Sequence, residues 1–490
     1  MSATITRWVP GRFLTCVALA LVVLGSRAWL IRAGGSPVPI WDQWDAEATN
    51  LYLPWLNGTL RWADLFQAHN EHRILFTRLA DLALLEVLGG WNPWAQMLLG
   101  ALLHAACAGA IAAVFWSATP AQNRASLITG LALLFTATCG WQNATWGFQF
   151  QVYLANLFSI GAITGLCISL PLSRGWWLGF GAAVLALFTN GGGLLALAAA
   201  LPVGLLLNTR NRQTWGAIGI MAGGLVLGST LSQNAPYHAS LHAKTIGQFF
   251  AVFSRCLAWP WINHGAMSFI MQLPLAWLGF NRWRRHESLT ATERCALALG
   301  CFAILQGAAI SYSRGGGLLD ARPLSRYQDP LLLGVAAQLF AAVQLWSREG
   351  RITRIPLLLV GGLAIAGLIA LTETNLTLHL PYKRAQDHSS LTVLRTYAIT
   401  GDAAAFAGDD TVFGRHPNPE SIRRSFDEPV LRAILPADLL VPADSPAPVP
   451  PWPIRNGPVL TAVSALLLFS LLVRLTRGAP EQSTQVAERS

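Results

Sequence analysis

Long stretches of this chain run without a single Asp, Glu, Lys or Arg: 87–123, 125–173, 175–209, 213–243, 256–281, 295–313, 330–347, 355–372 and 456–473. A helix rises about 1.5 Å per residue, so about 20 apolar residues cross the roughly 30 Å hydrocarbon core of a bilayer. Charged residues make up 12% of the 490, and mean hydropathy is +0.43. Soluble domains carry roughly twice that share of charge. Disordered and soluble multidomain classes are excluded. The pattern predicts an all-α polytopic membrane protein.

The charges that remain draw the topology. The first apolar segment, 13–31, contains Arg27, which is expected to snorkel to the membrane edge. No small-residue cleavage site follows it, so it reads as a retained anchor. The gap 125–173 is too long for one span and divides around Trp141 to Gln149; the gap 175–209 divides at Asn190-Gly191-Gly192-Gly193. Segment 74–89 carries Arg78, Asp81 and Glu86. Each charge near a bilayer centre costs about 2.5–3.5 kcal/mol, so this segment reads as an amphipathic helix at the interface. Arg124, Arg174, Arg210, Arg212, the clusters 282–294 and 348–354 and the tail after Arg474 then all face the cytoplasm, as the positive-inside bias requires.

The count is twelve transmembrane helices with both termini cytoplasmic. The formal net charge of +10 is then an orientation signal, and nucleic acid is not an expected partner. The expected order is a cytoplasmic N-terminus and first helix (1–31), then a first outer loop with interfacial helices (32–93). Spans two to seven (94–232) and an outer loop (233–262) follow. Spans eight to eleven (263–372) enclose an Arg-rich outer loop at 313–326. A small outer domain (373–457), Pro-rich at its end, precedes the last helix and cytoplasmic tail (458–490). The seven cysteines lie in or beside apolar runs without a CxxC pair, so neither a zinc site nor a disulfide framework is indicated.

Three clusters outside the spans carry chemistry. The first loop opens Trp41-Asp42-Gln43-Trp44-Asp45-Ala46-Glu47. On a helix Asp42 and Asp45 share a face, with Glu47 to one side. The group reads as a general base or a cation-holding carboxylate pair, or else as an acidic helix start between belt tryptophans. His69-Asn70-Glu71-His72-Arg73 follows at the start of the amphipathic segment. Five polar types in five positions cannot all point one way, and the HExxH form of a zinc protease is absent. The third cluster is Tyr312-Ser313-Arg314 with three glycines, then Asp320, Arg322 and Ser325-Arg326-Tyr327. Arginines on the outer side oppose the orientation rule, and bidentate capture of phosphate oxygens gives them a reason; pairing with Asp320 and Asp329 is the plainer alternative.

Weaker signals are the stretch Trp141 to Gln151, with Trp146 and Gln149, whose aromatic faces suit a sugar ring or the interfacial belt, and the loop 233–262, with Asn234, His238 and His242, as a lid or a segment resting on the bilayer. Arg415-His416 in the outer domain reads as solvated surface, and Asn375-Leu376-Thr377 fits the glycosylation triplet.

Residues 37–47, 69–73 and 312–327 resemble the GT-C superfamily of integral-membrane glycosyltransferases. Within it they resemble bacterial multi-pass proteins carrying WDQWD, NEHR, WGFQ and SRY segments. The resemblance implies a GT-C-like fold in the bacterial inner membrane, with the active site facing the periplasm. It implies a sugar donor on a polyprenyl phosphate and a glycan or lipid acceptor. It also implies a catalytic acid residue just beyond the first helix: Asp42 first, with Asp45 and Glu47 as alternatives. His69, Asn70, Glu71, His72, Arg73, Trp146, Gln149, Arg314, Arg322, Arg326 and Tyr327 are the candidate substrate-binding residues. A divalent cation, Mg or Mn, is a candidate cofactor. The adjacent acidic pair of protein mannosyltransferases is missing, since Gln43 follows Asp42, and no WWDYG motif occurs. A flippase or transporter, a saccharide polymerase or ligase, and an assembly subunit are the alternatives.

Overall fold

The structure is a computed structural model that describes residues 10–205, 211–231, 235–318, 320–406 and 419–477. Arg210, Asn234 and the Arg415-His416 pair lie outside the described residues. Among the described residues the fold is all-α apart from one two-stranded hairpin, Ala68–His69 against His72–Arg73. Eight helices are long and apolar enough to cross a membrane: Gly11–Gly34, Pro93–Trp116, Gly147–Ile168, Arg212–Leu231, Ala291–Arg314, Ser325–Arg348, Arg351–Thr400 and Gly457–Thr476. The chain is a multi-pass membrane protein.

The other four segments of the twelve-span expectation are helical but shorter. They form Arg124–Thr136, Arg174–Leu187, Leu195–Leu205 and Leu273–Arg284, of 13, 14, 11 and 12 residues. Two of them stop where the sequence breaks them. Helix 124–136 ends before Gly140 in the left-handed region at φ 72, and helix 174–187 ends before the Asn190 turn. The segment 74–89 forms one helix, Leu75–Leu88, burying Leu75, Leu82 and Leu85 along one face and leaving Val87 and Leu88 exposed.

Two expectations are corrected by packing. Arg27 does not snorkel: its side chain is buried, donating to the carbonyls of Cys139 (3.1 Å) and Phe135 (3.3 Å) and to Nε2 of His104 (2.8 Å). Asn375 is no glycan acceptor in this fold, because it is buried inside a helix and bonds Thr138 at 3.2 Å. That helix continues without interruption from Arg351 to Thr400, so the boundary at 372/373 falls within it.

One core unites chain segments some 300 residues apart in sequence. Trp44, Tyr52, Leu82 and Trp91 from the first loop pack with Leu394, Tyr397, Phe426 and Leu439. The Trp44 ring is wholly buried, with Trp91 at 5.3 Å and Phe426 at 6.1 Å. Burial of large aromatic surfaces drives this association. It also fixes the chain just after Asp42.

Candidate functional site

The turn that bears Asp42 is tightly determined. Trp41 occupies the left-handed region at φ 44, an uncommon state for a bulky residue that recurs at functional sites. The backbone N–H of Ile40 donates to Oε1 of Gln43 at 3.0 Å, and Trp44 Nε1 donates to Pro39 O at 3.0 Å. A π-helix, Gln43–Tyr52, follows. Its register separates the three acidic residues. Asp42 faces a cavity of about 600 Å³, whereas neither Asp45 nor Glu47 lines it.

Glu47 is buried instead beneath the turn. Trp91 Nε1 and Gln96 Nε2 both donate to its Oε2 at 2.8 Å, and the same Gln96 nitrogen donates to Asp81 Oδ1 at 2.8 Å. Gln43 completes the network by donating to Gln96 Oε1 at 2.9 Å. Burial pushes both carboxyls up, the Glu47 charge raises Asp81 further, and the hydrogen bonds from Gln96 pull each partly back. Glu47 thus holds the loop in place rather than meeting the cavity.

The His69–Arg73 cluster forms a hairpin ahead of the helix, not the helix start itself. Asn70, at φ 52, makes the turn with Glu71. His69 and His72 pair across the strands, and His69 Nε2 lies 3.4 Å from Asp42 Oδ1. His72 is half-buried, and the loss of solvent around its ring lowers its pKa. Its Nδ1 accepts the backbone N–H of Gly191 at 3.2 Å, as a neutral imidazole can. Gly191 has to be glycine for this approach, because a Cβ there would stand 2.8 Å from Nδ1. Arg73 turns away and donates to the carbonyls of Phe66 (2.7 Å) and Leu231 (3.0 Å).

Arg314, Arg326 and Tyr327 line the same cavity. Arg314 Nη1 donates to Glu71 Oε1 at 3.3 Å and its Nε to the Tyr327 hydroxyl at 3.1 Å. Burial works against ionised Glu71, but the His238 hydrogen bond at 2.6 Å and the Arg314 charge outweigh it and bring its pKa to about 2. Arg326 has no carboxylate within ion-pair distance among the described residues. Its guanidinium lies over Trp41 (5.6 Å) and Tyr327 (5.2 Å), a cation–π placement. Arg322 is outside the cavity, exposed, paired with Asp320 and bonded to Asn263 at 3.2 Å.

The segment Trp141–Ala144 clamps the Ser325-Arg326-Tyr327 turn. Gln142 N donates to Ser325 Oγ and Arg326 N to Gln142 Oε1, each at 3.2 Å. Asn143 Nδ2 reaches Arg326 O (3.0 Å) and Asp329 Oδ2 (2.7 Å). Trp146 and Gln149 line the cavity beside it, as does Asn70 on the hairpin. A strap, Pro236–Leu241, closes the side: Tyr237 bonds Asn70, and His238 and His242 line the cavity.

The cavity therefore gathers Asp42, His69, Asn70, Glu71, His72, Trp146, Gln149, Arg314, Arg326 and Tyr327, and leaves out Asp45, Glu47, Arg73 and Arg322. Sequence reasoning reached Gln151 only as the end of the aromatic stretch and missed Asn156 and Ser159, which share its face of an otherwise apolar helix, and Gln306. Among the described residues no three His, Cys, Asp or Glu side chains converge to hold a metal, and no step below runs through a cation. No protein-family model, curated protein or solved structure matches the chain.

Proposed function

We propose that this chain is a membrane glycosyltransferase that moves a sugar from a polyprenyl-phosphate donor to an envelope glycan or lipid acceptor. The reaction takes place on the outer face of the bacterial inner membrane, in a twelve-pass GT-C-like arrangement whose four shorter helices cross as broken spans. The observation that carries the reading is one cavity lined by the Asp42–His69 pair together with Arg314 and Arg326.

An acceptor hydroxyl is a poor nucleophile at neutral pH, so its proton passes to the Asp42 carboxylate as the oxygen attacks C1. The C1–O bond to phosphate breaks, and the electron pair leaves on the polyprenyl phosphate. Arg326, with no carboxylate to neutralise it, and Arg314 stabilise that charge. Direct attack inverts the anomeric centre. His69 orients Asp42, and Glu71 holds Arg314 in place.

The test offers purified protein a panel of polyprenyl-phosphate sugars with an envelope extract as acceptor. Release of polyprenyl phosphate by the wild type, lost in Asp42→Asn and Arg326→Ala, is the expected result; no donor consumption sinks the reading. A flippase of lipid-linked sugar is the second reading, favoured by the polar side chains of Gln151, Asn156 and Ser159 inside a membrane-length helix. Movement of labelled lipid-linked sugar across vesicles without donor consumption would select it.

A further inference from the structure

Below the charged tier, the cavity runs down between the helices Phe150–Ile168 and Ala291–Arg314. Its wall there is neither charged nor wholly apolar. Gln151, Asn156 and Ser159 fall on one face of the first helix, interleaved with Val152 and Ala155, and Gln306 comes from the second. Two of these four side chains carry a buried polar atom without a partner. Gln151 is 3% exposed and its Oε1 has no hydrogen-bond partner; Ser159 is wholly buried and its Oγ has none either, among the described residues. Gln306 is already oriented, its Nε2 donating to Gly192 O at 2.9 Å, and a Cβ at Gly192 would stand 2.8 Å from that nitrogen. Buried polar atoms in a native fold are almost always paired. Orphans that line a cavity point to a ligand that pairs them.

We infer that this deep tier is a binding site for an uncharged polyhydroxylated group, a sugar ring, rather than a slot for the lipid tail. The inference rests on the glycosyltransferase reading of the same cavity and places the sugar beneath the charged tier. The chemistry selects the ligand class. Amides and a hydroxyl both donate and accept, as vicinal sugar hydroxyls do, and the absence of charge in this tier disfavours a phosphate. An isoprenoid tail would leave Gln151 and Ser159 unpaired in a dry site, which is unfavourable. Val152, Ala155 and Phe302 supply the apolar surface that sugar C–H faces cover.

The test reads binding without turnover. Ala155→Cys places a small reporter thiol on this wall without touching the polar side chains, and its labelling by a methanethiosulfonate is compared with the parent, whose native cysteines set the background. The probes are methyl glycosides of glucose, galactose, mannose and N-acetylglucosamine, and undecaprenyl phosphate without sugar. Severalfold slower labelling with at least one glycoside, relieved by adding Gln151→Leu or Ser159→Ala, supports the site. Protection by undecaprenyl phosphate alone, or by no probe, overturns it. Glycoside protection in a protein that consumes no donor keeps this inference and sinks the transferase reading.

Discussion

The carboxylate of Asp42 stands 3.4 Å from Nε2 of His69, joining the turn after the first helix to the hairpin that precedes helix Leu75–Leu88. The pair is partly exposed to the cavity, with Asp42 at 28% and His69 at 15%. The same chain places Glu47 five residues later in a sealed pocket. One acidic motif is thus divided between a side chain that can meet a substrate and one that cannot.

Asp42→Asn is expected to lower donor consumption by roughly 10²–10⁴-fold, the usual worth of a positioned general base, with the thermal midpoint in detergent unchanged. His69→Ala should cost less, and the double variant should fall short of the summed losses, because the two act as a unit. Additive losses would separate them.

Glu71 ties acid stability to the cavity. Its folded pKa of about 2 lies below the ordinary 4.5, so its contribution is present above 4.5 and is lost as pH falls towards 2. Thermal melts across that window should show the wild type losing stability faster than Glu71→Gln. The variant should be the less stable of the two at neutral pH, since Arg314 and His238 lose their acceptor. Parallel pH profiles would remove this role.

Glu47 and Asp81 have the opposite sign. Burial raises both above their ordinary 4.5 and 3.8, so their contribution is full below those values and declines as pH climbs through the raised ones. Glu47→Gln is expected to flatten the loss of stability as pH climbs from 4.5 to about 7, read as the midpoint of unfolding against pH. Glu47→Ala leaves the Trp91 donor unpaired, at about 1–3 kcal/mol for such a group, takes one of two carboxylate acceptors from Gln96, and should melt lower at every pH. An unaltered loss across that window in Glu47→Gln would show that Glu47 does not titrate there.

Trp44→Ala should destabilise by about 3–5 kcal/mol, the range for truncating a buried large aromatic. Because the Trp44 ring meets Phe426, protease sensitivity of segment 419–439 should rise with it. A surface control, Trp62→Ala, where the ring is 79% exposed, should melt within a few tenths of a kcal/mol of wild type.

Class and punctuation were legible in the linear chain. Charge gaps of span length dictate membrane helices, since an unpaired charge in hydrocarbon is prohibitive. Glycine and asparagine at 140 and 190–193 mark breaks because local backbone sterics act over a few residues. The segment 74–89 was legible as one helix, Leu75–Leu88, but not its orientation, since Arg78 and Asp81 are buried while Val87 and Leu88 are exposed. The motif positions also pointed to real neighbours: residues 42, 69–72, 146, 149, 314, 326 and 327 meet at one cavity.

What only the tertiary structure decided is which member of each motif faces that cavity. A π-helical register turned Glu47 inward, a two-residue hairpin sent Arg73 away from His72, and Arg322 found Asp320 nearby. Arg27 looked like an edge residue by position, yet carbonyls at 135 and 139 and His104 pair it in the interior. Such partners are distant in sequence, and their hydrogen bonds are set by packing that no local pattern encodes. The polar stripe of Gln151, Asn156 and Ser159 was written in the sequence as a helical period. Only the neighbouring helix Ala291–Arg314 makes it a cavity wall, because a helix face acquires its meaning from what packs opposite.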